Sequence, residues 1–244
     1  VQIGLSIVGT LLGALGVFPG GGFLVGFYST LLDLLWPSNG PSNENVWEAF
    51  LEQVEQLIDQ RISEYVRNRA IARLEGLGNS YDTEVIYLEA LEEWEKNPNN
   101  ARSREAVRTR FNILDSLFVN AIPSFAVSAG YSENYEVLLL PVYAQAANLH
   151  LLLLRDAVIF GERWGLTQAD INSTLDEDNY YNRLLERIKE YTDHCVNWYN
   201  TGLNNLRGTN LDAESWVRYN RYRREMTLTV LDLVALFPNY DPRL

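Results

Sequence analysis

Two histidines and one cysteine are the side chains of this 244-residue chain best suited to hold a metal or attack an electrophile. His194 and Cys195 are adjacent, so on a helix they point about 100° apart, and no second His–Cys pair stands at zinc-ligand spacing. They read as a surface histidine beside a packed thiol. His150 lies in an apolar run and reads as a hydrogen-bonded core histidine; a pH switch is the alternative, since protonation would put charge inside the protein. PGGG at 19–22 has no following Lys–Ser/Thr and reads as a helix corner, not a phosphate loop. The sequence holds neither G-x-S-x-G nor H-E-x-x-H, and its carboxylates fall at surface spacings, as in LEALEEWEK (88–96). No catalytic group, metal or cofactor is expected.

The polar residues inside the longest apolar run say more. From Val137 to Leu154 there is no Asp, Glu, Lys or Arg, yet Gln145, Asn148 and His150 interrupt it. Projected at about 100° per residue, Gln145, Asn148, Arg155 and Asp156 share one narrow stripe, with His150 on the opposite side and apolar groups elsewhere. A helix that is apolar nearly all round is central in a bundle or crosses a membrane. Val137–Phe160 has the length of a span, but its polar groups make it marginal alone. A partner covering the stripe changes that balance. The segment before it, Arg102–Phe125, supplies a candidate. One face carries Phe111, Leu114, Leu117, Phe118, Ala121 and Phe125, and the other Arg104, Glu105, Arg108, Asn112, Asp115 and Ser116. A loop of about ten residues would let the two pack antiparallel, making a helical hairpin the natural inserting unit.

Composition sets outer bounds. A net charge of −12 and a pI near 4.7 argue against nucleic acid and against docking on anionic lipid by charge alone. One cysteine excludes an internal disulfide. Val1–Leu32 is uncharged but lacks the basic start of a signal peptide, so it is assigned to the fold. Within it, Gly9–Gly13 and Gly22–Gly26 have the G-x-x-x-G spacing that permits close helix approach, in lipid or in a soluble bundle. Asn172-Ser173-Thr174 is a glycosylation sequon only in a eukaryotic secretory setting. Pro/Gly clusters at 37–43, 97–100, 127–134 and 207–210 separate long helical patterns, and no run alternates like an exposed strand. About seven helices result.

Several blocks carry a resemblance in order along the chain. VYAQAANLHLLLLRDAVIFGERWG (142–165) resembles the central-helix block of the three-domain insecticidal crystal (Cry) δ-endotoxins. TDHCVNWYNTGLNNLR (192–207), WVRYNRYRREMTLTVLDLVALFPNYD (216–241), RNRAIARLEGLGNSY (67–81) and RFNILDSLFVNAIPSF (110–125) are similar to its other blocks.

The resemblance implies domain I of such a toxin over residues 1–244: an all-α bundle of seven helices, with a hydrophobic central helix ringed by amphipathic ones. In family terms the helices span about 1–15, 21–36 with 45–58, 61–95, 101–125, 135–164, 178–206 and 213–237. It further implies a protein of the bacterial parasporal crystal that acts, after ingestion and proteolytic activation, at the insect midgut plasma membrane. There it would insert the hairpin of the fourth and fifth helices (about 101–164) and assemble with copies of itself into cation-permeable pores. Polar residues of the fourth helix would face the lumen, which points to Arg104, Glu105, Arg108, Asn112 and Asp115. Receptor recognition is expected from β-rich domains II and III, outside these residues, and Val1 is expected to follow loss of an activation peptide. The reading in another class is a soluble helical interaction module with no lytic activity.

Overall fold

The computed structural model describes Arg73 and residues 87–126, 136–173, 178–207 and 212–244. Among them there are helices and turns and no strand. The expected first and second helices, most of the third, and both G-x-x-x-G pairs lie outside the described residues.

Helix α1 (Tyr87–Lys96) is the end of the expected third helix, and α2 (Ala101–Ala121) is the expected fourth. Asn100 begins α2, its side chain accepting from the Arg102 N–H at 2.9 Å and so satisfying one of the helix's free donors. Helix α3 (Leu140–Trp164) is the expected fifth. Pro141 stands in its first turn, where a missing N–H costs nothing. Gly165 closes α3 at φ 88°, with the Leu166 N–H returning to Gly161 O at 2.9 Å. That left-handed conformation favours glycine, and the Arg108 guanidinium lies 2.8 Å from where a β-carbon would stand.

A single turn, α4 (Gln168–Ile171), follows between the expected fifth and sixth helices; Thr167 and Asp170 cap each other reciprocally there. Helix α5 (Tyr180–Arg207) starts where the Asn179 side chain accepts from Asn182 N, and α6 (Ala213–Met226) where Asp212 accepts from Ser215 N. The expected seventh helix does not run unbroken to residue 237. After α6 comes a π turn (Thr227–Leu231), a short α7 (Asp232–Val234) and a 3₁₀ turn (Phe237–Tyr240).

Packing follows the periodicities. Val107, Phe111, Leu114 and Phe118 form the buried stripe of α2, and Leu184, Tyr191, Cys195 and Gly202 that of α5. Helix α3 has no outer face over its first half: every residue from Leu140 to Leu154 is buried. It packs along α2 and α5, and the π turn, α7 and the 3₁₀ turn meet it from another side. Each fully buried leucine in Leu149–Leu154 contributes about 2 kcal/mol of hydrophobic stabilisation. At the C-terminal end of α3, Trp164 sits edge-on to Tyr87 and Trp94, with ring centroids 6.1 and 6.2 Å away. Arg108 reaches Gly165 while Asp115 reaches His150, so α2 and α3 run antiparallel.

Two details correct the projection of α2. Asp115, expected on the charged face, is 8% exposed, and Leu117, expected inside, is 40% exposed. Asp115 turns inward because two partners await it there.

Candidate functional site: the polar groups around the central helix

His150 is completely buried on α3 and stacks on Phe118 of α2. Its Nδ1 lies 2.6 Å from the Tyr191 hydroxyl and its Nε2 2.9 Å from Asp115 Oδ1. A carboxylate only accepts, so Nε2–H donates to Asp115, and Tyr191 donates to Nδ1. Arg183 of α5 donates to the other carboxylate oxygen at 2.8 Å. The result is a continuous chain, Tyr191 to His150 to Asp115 to Arg183, joining α5, α3 and α2. Burial raises the Tyr191 phenol above its ordinary range, which keeps it a donor.

The stripe opposite His150 has other partners. Gln145, Asn148 and Asp156 are buried and Arg155 is half-buried. The Tyr240 hydroxyl donates to Asn148 Oδ1 at 2.5 Å, and the Tyr87 hydroxyl to Asp156 Oδ2 at 2.8 Å. In the packed bundle Asn148 and Asp156 thus accept from tyrosines that lie outside α2. Residues 237–240 supply a partner for Asn148 and α1 one for Asp156, while the polar contact of α2 with the middle of α3 is Asp115 with His150.

The remaining α2 residues are spread out. Glu105 and Asn112 are exposed, and Arg104 and Arg108 half-buried. Arg108 donates to the Gly165 carbonyl at 3.1 Å, and Asn112 accepts from the Tyr180 hydroxyl at 3.3 Å. Of the five residues assigned to one face, Arg104, Glu105, Arg108 and Asn112 remain at or near solvent and Asp115 does not. The sequence reading missed Tyr87, Arg183, Tyr191 and Tyr240. A bulky residue with a polar tip at a buried helical position was the only signal available.

His194 is half-buried and stacks on Tyr143 at 3.9 Å between centroids, and burial pushes its pKa down to about 4. Cys195 is buried, its thiol pushed up to about 12 by desolvation. Among the described residues no group of three or more His, Cys, Asp or Glu could hold a metal ion.

Among the described residues the architecture is an all-helical bundle around one helix whose enclosed stretch Leu140–Leu154 carries no charge, and comparison with known proteins identifies its family. The delta endotoxin, N-terminal domain family matches residues 10–241, and the chain belongs to that family. It is 56% identical over 243 residues to the pesticidal crystal protein Cry8Ba of Bacillus thuringiensis serovar kumamotoensis, covering 100% of this chain and 19% of that protein. It is 53% identical over 244 residues to the pesticidal crystal protein Cry1Ia of Bacillus thuringiensis subsp. kurstaki, covering 31% of that protein. The structure of the insecticidal delta-endotoxin Cry8Ea1 from Bacillus thuringiensis superposes with a TM-score of 0.83 at 57% identity, over 99% of this chain and 38% of that one. The chain therefore spans between a fifth and two-fifths of the length of these relatives.

Proposed function

We propose that this chain is the pore-forming unit of an insecticidal crystal toxin, inserting the α2–α3 hairpin (about 101–164) into the midgut epithelial membrane. The observation that carries the reading is the complete enclosure of Leu140–Leu154 within a run free of charge. Lipid tails are as apolar as the side chains that surround α3, so exchanging one for the other costs little hydrophobic free energy. No helix among the described residues is long and apolar enough to cross a membrane. In this reading the hairpin is the inserting unit, each helix offering the other a partner for its polar groups. The polar groups of α2 and α3 then need each other or water, and several copies arranged around a lumen would supply both. Cation-permeable pores follow as the activity. Delivery to the midgut surface falls to the parts of the relatives beyond this length, since a chain of net charge −12 gains little from anionic lipid.

Dye release from sealed vesicles by the purified chain tests this. Release that rises steeply with protein concentration is the expected result. No release from neutral to alkaline pH, with α3 amides equally protected with and without vesicles, would instead establish the interaction-module reading.

A further inference from the structure

The C-terminal residues close over one side of α3. Phe237 and Tyr240 are both fully buried, with ring centroids 6.4 Å apart, and Tyr240 bonds Asn148 across 92 residues of sequence. Just beyond, the chain is fixed a second time. The Tyr181 hydroxyl on the first turn of α5 donates to Asp241 Oδ2 at 3.2 Å, and the Arg243 guanidinium lies 3.6 Å over the Tyr181 ring. The Arg243 N–H donates to Asp241 Oδ1 at 2.9 Å, which tightens the turn between them. One hold is inside against the central helix and the other outside against α5. Residues 237–243 and α5 both lie outside the hairpin.

Asn148 lies in the uncharged half of α3, where a polar group loses most if its partner leaves without water replacing it. We infer that residues 237–243 are a strap that retains the central helix in the packed bundle. The Tyr240–Asn148 bond is its inner catch and the Tyr181–Asp241–Arg243 cluster its outer anchor. The inference rests on the proposed release of the hairpin. Burial keeps the Tyr240 phenol above its ordinary range, which favours its protonated, donating form.

Tyr240→Phe removes the hydroxyl and keeps the ring, while Tyr181→Phe and Arg243→Ala loosen the outer anchor away from the core. Hydrogen exchange without vesicles should show amides 140–154 opening about five-fold faster in Tyr240→Phe and in the same direction in the anchor variants, with α1 near wild type. The initial rate of dye release from neutral phosphatidylcholine vesicles should rise by a similar factor at unchanged final extent. Leu184→Val, a core change in α5 that leaves the strap intact, is the control for general destabilisation. Should Tyr240→Phe fail to fold, Tyr181→Phe and Arg243→Ala carry the test. Exchange of 140–154 at the wild-type rate, or raised no more than that of α1, overturns the strap. Faster exchange with no dye release even from wild type upholds the strap and removes the pore reading. Release by wild type with unaltered variants removes the strap alone.

Discussion

At the scale of single residues, Asp115 has the most consequence. It joins three helices by accepting from His150 and Arg183 together, with its side chain 11% and that of Arg183 27% exposed. Asp115→Asn keeps the shape and removes the charge, leaving Arg183 without its counter-ion. We expect a loss of about 2 kcal/mol in urea unfolding, below the cost of breaking a fully buried pair because Arg183 retains some water. Adding Arg183→Met should cost less than the two changes summed. A purely additive double variant would show that the carboxylate and the guanidinium do not interact. Asp115 also marks a limit of reading from sequence. Helical periodicity sorts residues by angle, but whether a charge near the boundary turns in or out depends on partners 35 and 68 positions away.

At the scale of elements, the existence and order of α2, α3, α5 and α6 were legible because their apolar stripes are long and regular. Their ends were less so. The fourth helix was extended to Phe125, but the proline at 123 shifts Ile122–Phe125 into a 3₁₀ turn. The resemblance implies a fifth helix from about residue 135, whereas α3 begins at Leu140, with Pro141 in its first turn. The close approach of α5 to α6 left no signal except a glycine. A β-carbon on Gly202 would lie 2.1 Å from the Tyr222 hydroxyl and 2.7 Å from Val137 Cγ1. Gly202→Ala gains about 1 kcal/mol of helix propensity and loses more to that clash. A net destabilisation of about 2 kcal/mol is the expected result, read as a lowered Tm. An unchanged or raised Tm would mean that α6 moves aside freely.

At the scale of the whole molecule, tyrosines are the internal polar fittings. Tyr191, Tyr222 and Tyr240 all have phenols raised above their ordinary range by burial. A raised folded-state pKa binds its proton more tightly than the unfolded chain does. The stability it contributes is fully present below about pH 10, the unfolded value, and is lost as pH climbs beyond it. The urea midpoint should therefore show no tyrosine-driven decline below about pH 9 and should fall above that, since about half of the unfolded tyrosines are ionised at about pH 10. Part of the tyrosinate absorbance of the fourteen tyrosines should appear only with unfolding; complete tyrosine ionisation in the still-folded protein would contradict these burials. The bundle and its central helix were legible in composition and periodicity. The fittings that hold that helix were not, because each joins residues distant in sequence.

The π turn at Thr227–Leu231 has a consequence for how this architecture tolerates change in length. Such a turn carries one residue more than the α-helical turn it replaces, between Met226 and Leu233, both of which point inward. The surplus is taken up locally, so the angular phase of the downstream rings relative to the upstream ones is uncoupled from the residue count between them. Here the chain holds slack, and the aim of Phe237 and Tyr240 is set by where they dock, not by how many steps lead to them.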